Sequence, residues 1–181
     1  VLWSDKTVIW NNRKPFGHNM IENAKVVDVF GTEHPFEKDG EMGFEVSWIY
    51  GGKLITKRVV DRQKHGLIPS ITPKKDSVIL VFGALEDLTS PYNACICNAD
   101  GSLRINLIPP QLVSDKYKEY EKEVGRKEAE KDIRFLWPFY LEKDDKEILV
   151  MGVRFNYDWY EIRELDPNTG KFGKCYGATK Q

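Results

Sequence analysis

Apolar and polar positions alternate along much of this chain, most clearly from Phe44 to Val60. Phe44, Val46, Trp48 and Tyr50 alternate with Glu45 and Ser47, reach Gly51-Gly52, and return through Lys53-Leu54-Ile55-Thr56-Lys57-Arg58-Val59-Val60. Period two is the signature of a strand, and Gly-Gly between two such runs predicts a two-residue hairpin. With Gly51 and Gly52 at the turn, Tyr50 opposes Lys53, Trp48 opposes Ile55 and Glu45 opposes Arg58, so opposite charges face each other across the ladder. A second hairpin is predicted where Tyr92–Asn98 and Leu103–Ile108 flank Ala99-Asp100-Gly101-Ser102, which sets Ile96 against Ile105.

The stretch Lys146 to Tyr176 reads as consecutive strands joined by tight turns. Glu147 to Phe155 is almost continuously apolar or small, as a strand buried on both faces requires. In Trp159–Leu165, Tyr160 and Ile162 share one face while Glu161 and Arg163 share the other, which predicts a wet side carrying the two charges. Asp166-Pro167-Asn168-Thr169-Gly170 supplies the next reversal.

Elsewhere the punctuation is coarser. Thr7–Trp10 and Ala24–Phe30 are short β-prone runs, Gly31–Gly43 reads as a polar loop, and Ser77–Gly83 as a buried strand. Asp61–Lys75, with two prolines, a glycine and several basic residues, reads as an exposed connection. After Pro109-Pro110, Ser114–Asp132 holds thirteen charged residues in nineteen positions, and Ser114 is placed as an N-cap. One solvated helix is expected there, docked by a thin stripe of Tyr117, Tyr120 and Val124. Ile133–Leu141 then resumes strand character.

Composition narrows the function more than the fold. At 181 residues and 41% hydrophobic, the chain suits a single domain, residues 1–181. A formal net charge of −1 makes nucleic acid an unlikely default partner. No apolar run approaches the ~20 residues of a membrane span, and an unanchored protein is expected. Three cysteines and no Asn-X-Ser/Thr sequon point to a reducing, cytoplasmic setting.

Candidate chemistry is sparse. Cys95 and Cys97, two apart on a strand, would need Cys175 and one of His18, His34 or His65 to form a zinc site; their apolar context instead reads as small core residues, so no metal and no cofactor are expected. No nucleophile-elbow, zincin or papain-type context occurs, Gly170–Lys174 lacks phosphate-loop spacing, and Asp144-Asp145 reads as a polar turn. No catalytic residues, and no enzyme, are expected. The aromatic load is the feature that remains: five tryptophans, eight tyrosines and nine phenylalanines, three of them in Tyr157-Asp158-Trp159-Tyr160. Aromatics beside acidic groups suit a protein-binding patch or a sugar platform.

Tyr92–Leu103 and Tyr160–Lys171, whose turns read D-G and D-x-x-T-G, resemble the inner hairpins of β-propeller blades. In general character (β-rich, mildly acidic, without a catalytic signature) the chain also resembles small bacterial immunity proteins, which neutralise a toxin by covering it. The fold class expected is therefore α+β, mainly antiparallel β in twisted, propeller-like or sandwiched sheets, with one charged helix near residues 114–132. The function expected is a non-enzymatic, toxin-neutralising protein binder, with Glu121, Asp158, Trp159 and Glu161 meeting a basic partner surface. The alternatives are a β-domain that binds or processes a small ligand or glycan and a structural subunit.

Overall fold

A computed structural model describes residues 8–9, 20–59, 65–84 and 93–181. Three antiparallel sheets follow one another along the chain. The first holds β1 (Val8–Ile9), β2 (Glu22–Val27), β3 (Glu33–Pro35), β4 (Glu45–Tyr50) and β5 (Lys53–Arg58), in the spatial order β1-β5-β4-β2-β3. The second is an up-and-down meander of β6 (His65–Ile71), β7 (Ser77–Ala84), β8 (Ala94–Asn98) and β9 (Leu103–Asn106). Two helices, α1 (Asp115–Val124) and α2 (Arg126–Lys131), lead into a third sheet, the meander β10 (Arg134–Lys143), β11 (Lys146–Arg154), β12 (Trp159–Leu165) and β13 (Phe172–Lys180).

The Gly51-Gly52 register follows its turn, whereas in the Asp100-Gly101 hairpin Cys97 opposes Leu103 and a bulge precedes the expected pairing at Ile96. Glu45 pairs with Arg58, Trp48 with Ile55 and Tyr50 with Lys53, and Ile96 pairs with Ile105. Positive φ at Gly51 and Gly52 is the geometry that a two-residue turn matched to strand twist demands. Asp144 and Asp145 hold the same left-handed geometry between β10 and β11 without the glycine that favours it.

The middle sheet is buried on both sides because alternate residues of β7 and β8 feed two different cores. Val78, Leu80, Cys95 and Cys97 point to the first sheet and meet Val26, Val46 and Trp48. Ile79, Val81, Ala94 and Ile96 point to the third and meet Phe135, Met151, Val153 and Leu165, with Tyr117 and Ala129 of the helices closing one end. Buried side chains fasten the layers. Trp48 Nε1 donates to the Ala99 carbonyl at 2.6 Å. Asn93 Nδ2 donates to the Phe82 and Phe135 carbonyls at 2.9 and 2.8 Å, while its Oδ1 accepts from the Phe135 N–H at 2.8 Å. Its amide thus gives Phe135, on the free edge of β10, the pair of backbone bonds that a neighbouring strand would supply.

Several expectations need correction. Residues 65–71, expected in an exposed connection, form an edge strand with Leu67 and Ser70 fully buried. Pro69 is tolerated there because its missing N–H falls on the side that meets the 38–43 loop, where Gly40 N–H donates to the Pro69 carbonyl and Leu67 exchanges bonds with Gly43. Both glycines are required by that approach: a Cβ at residue 40 would lie 2.6 Å from the Pro69 ring, and one at 43 would lie 2.4 Å from the Val27 carbonyl. The loop expected over residues 31–43 also contains β3. The single helix expected over 114–132 is two, since Gly125, at φ 83° and ψ 145°, ends α1 and starts α2. Ser114 caps α1 as expected, its side chain accepting from Tyr117 N–H. The expected strand Thr7–Trp10 falls outside the described residues apart from Val8–Ile9.

Candidate functional site

The four residues singled out from the sequence do not form one exposed patch: Glu161 and Trp159 adjoin the start of α1, Glu121 lies in its last turn, and Asp158 is on the turn before β12. Glu161 is fully buried. Its Oε1 accepts from the backbone N–H groups of Val113 and Ser114 at 2.7 and 2.6 Å, and its Oε2 meets Arg163 Nη1 at 3.0 Å. Arg163 also donates to the Gln111 and Gly173 carbonyls, at 2.8 and 3.0 Å. The expected wet side of β12 is therefore its inner side. Period two fixes which residues share a face but not which face is covered, and two opposite charges that satisfy each other and four backbone groups can occupy the inside. The clasp fastens residues 111–114, and with them the head of α1, to the third sheet.

Trp159 is half-buried between two ammonium groups, Lys116 at 5.2 Å and Lys180 at 5.6 Å from its ring centroid. Asp158 is exposed on the preceding turn, where Asn156 Oδ1 accepts from the N–H groups of Asp158 and Trp159. Glu121 lines a cleft of about 820 Å³ between α1, α2 and the segment Ile108–Val113. Arg126, also lining it, lies 3.8 Å from Glu121 and 3.1 Å from Glu130, so the charged wall of the cleft is paired within itself. Next to it, burial and the Asp132 carboxylate push the Tyr120 hydroxyl up to about 12.

The cysteines are divided between layers. Cys95 and Cys97 lie in the core between the first and middle sheets, where the Cys97 thiol and burial together hold the Cys95 thiol far above its usual range. Cys175 stands opposite Arg163 on edge strand β13, and burial raises its thiol as well. His34 pairs with Asp28 at 2.9 Å.

The most distinctive surface is one that the sequence reading passed over: the outer face of the third sheet. Register defines it, because residues directly opposite each other share a face. Phe139 opposes Val150, Leu141 opposes Ile148, Gly152 opposes Ile162, and Arg154 opposes both Arg134 and Tyr160. None of these belongs to either core. Gly152 lets the layer close over the bulge, since a Cβ there would lie 3.3 Å from both Leu136 and Tyr160. Trp137, which the bulge brings alongside, meets Tyr160 edge-on at 5.7 Å. Val150 at the centre is fully covered by its neighbours, whereas Trp137, Phe139, Leu141, Ile148, Tyr160 and Ile162 are all partly exposed. At strand spacings the face measures roughly 20 by 23 Å.

A signal for this face was present. Trp137, Phe139 and Leu141 alternate along β10 just as Ile148 and Val150 do along β11, and a continuously apolar strand supplies apolar groups to both faces whether or not both are covered. The inner set, Leu149, Met151 and Val153, is buried as expected; the outer set ends in partly exposed Ile148. Among the described residues no helix is long and apolar enough to cross a membrane, and no group of three or more His, Cys, Asp or Glu is placed to hold a metal ion. Comparison with known proteins found no matching family model, no similar curated protein and no similar solved structure.

Proposed function

We propose that this chain is a non-enzymatic protein-binding module, working in the cytosol, whose docking surface is the outer face of the third sheet. The observation that carries the reading is the partly exposed row Trp137, Phe139, Leu141, Ile148, Tyr160 and Ile162, held on regular strands and outside both cores. Burying such side chains is worth about 25 cal/mol per Å² of apolar surface, and aromatic anchors are the groups that dominate protein interfaces. Rigidity favours the same use. The face is built on four paired strands and braced from beneath by the Glu161–Arg163 clasp, so little ordering entropy is lost on docking. Neutralisation of a toxin by occlusion is the form of binding we favour, because a preorganised flat face covers another protein's surface without reacting with it.

A photocrosslinking residue introduced at Phe139 or Ile162, and separately at Ser47 on the first sheet, tests this in the producing cell. The reading expects one protein joined at 139 and 162 but not at 47, and, for the toxin form, suppression of that protein's activity by the purified chain. Equal labelling at all three positions, or none at 139 and 162, would sink it.

A further inference from the structure

We infer that the partner received by this face carries acidic groups around its contact surface, a step that rests on the docking reading and adds the partner's charge. Cations frame the apolar centre at both ends. At one end Arg154 stands across the ladder from Arg134 and lies over the Tyr157 ring at 5.6 Å, and its buried Nε has no hydrogen-bond partner. Burial first, and then the like charge of Arg154 beside it, hold the Arg134 guanidinium below its ordinary range against the pull of Asp132, while its Nη1 donates to the Lys131 and Ile133 carbonyls. At the other end Lys143 and Lys174 each place an ammonium 5.4 Å from the Tyr176 ring centroid. Glu164 and Asp144 interrupt this pattern at that end: the Tyr176 hydroxyl donates to the Glu164 carboxylate at 3.3 Å, and the charge of Asp144 acts on the same hydroxyl.

Carboxylates on a partner would answer both ends, and complementary rims of this kind set orientation and association rate. Two other occupants fit less well. A second copy would bring the same cations rim to rim. Single-stranded nucleic acid needs open ring faces for stacking, whereas Tyr176 is attended by two ammonium groups, Trp137 and Tyr160 meet edge-on, and the centre between them is aliphatic. The inferred charge is the reverse of the acidic patch expected from the sequence, one member of which, Glu161, is inside and committed to Arg163.

The test uses the full chain and two labelled helical peptides with one shared apolar face, flanked by glutamate in the first and by lysine in the second. Fluorescence anisotropy at low salt is expected to show the glutamate peptide bound at least about tenfold more tightly, with the preference shrinking as salt shortens the Debye length. Arg154→Glu combined with Lys174→Glu is expected to remove the preference; Lys25→Glu combined with Arg58→Glu, on the first sheet, is expected to leave it. Circular dichroism confirms that each variant is folded. Equal affinities, a preference for the lysine peptide, binding of neither, tighter binding of oligo(dT), or concentration-dependent dimerisation through this face would each overturn the inference. If the peptides bind equally and Ile162→Asp abolishes both, the docking face stands and only its charge assignment falls.

Discussion

The two outermost sheets of the stack present opposite answers to the same problem. On the first sheet the outward residues are mixed: Ser47 lies opposite Thr56, Glu45 opposite Arg58 with Arg58 Nε donating at 2.6 Å, and Lys25 reaches Glu33 at 2.7 Å, with Val27, Ile49 and Leu54 scattered among them. On the third sheet the outward residues are mostly aromatic and aliphatic over the centre, where Glu164 opposite Val150 is the exception, and the other charges sit towards the ends. Both inner faces feed an apolar core, each with buried charge at its margin, Lys57 on the first sheet and the Glu161–Arg163 pair on the third. The first sheet holds its place without such a row, and the docking role proposed above would account for Trp137 and Phe139 standing near water on the third.

That contrast sets the size of several mutational effects. The largest belongs to the inner side of β12. Glu161→Ala leaves the Arg163 guanidinium buried without its carboxylate and orphans the N–H groups of Val113 and Ser114. Removing one partner of a buried pair costs about 3–5 kcal/mol. Glu164→Ala, three residues along on the outer face, is expected to stay within about 0.5 kcal/mol. Urea unfolding of the two variants measures the difference; equal losses would mean that the outer face is part of the folding core. Next in size is a matched pair of tryptophans. Trp48→Phe leaves the Ala99 carbonyl without its donor in a buried site, at about 1–3 kcal/mol, and also loses packing volume. Trp137→Phe on the outer face should cost under about 1 kcal/mol. Were Trp137→Phe the more damaging, that face would be covered in the folded chain.

How much of this was legible follows from which physical signals are local. Turn chemistry is local, so Gly51-Gly52 sets the whole first register and Asp100-Gly101 the Ile96–Ile105 pairing, though not the bulge at Cys97, and Trp159–Leu165 is one strand with those bounds. What was missed depends on contacts distant in sequence. Residues 65–71 look like a connection because of Gly66 and Pro69; they are a strand because the whole segment pairs with β7, and the 38–43 loop satisfies their other edge. Charge on β12 suggested a wet side, and only the arrival of residues 111–114 shows why Glu161 and Arg163 are inside. The helix split at Gly125 lies between these cases: the residue was visible, but thirteen charges in nineteen positions masked its φ of 83°. The outer face of the third sheet was hidden for the converse reason, since apolar alternation signals burial and does not reveal by what.

The smallest effect sharpens the comparison from the polar side. The first sheet's finish depends on charge, and Asp28 is its clearest case: its Oδ1 accepts from the N–H groups of Phe30 and Thr32, both at 2.8 Å, and its Oδ2 meets His34 Nε2 at 2.9 Å. The His34 contact, followed by the backbone bonds, holds the Asp28 carboxyl below its ordinary value. A depressed acid binds fewer protons folded than unfolded. Its contribution is therefore complete above the unfolded pKa, about 3.9, and is lost as pH falls through the lower folded value. Asp28→Asn keeps an acceptor for the two backbone bonds and removes only the charge. Amide-exchange protection at Thr32 should be higher in the parent chain than in Asp28→Asn at pH 6, and the two should converge as the medium is acidified below pH 3. Protection at Ile162, on the third sheet, should be the same in both chains across that range, because nothing on its face titrates with Asp28. A loss at Ile162 that tracks the loss at Thr32 would mean that the two outer sheets are coupled through the middle one, and that their surfaces cannot be treated as independent.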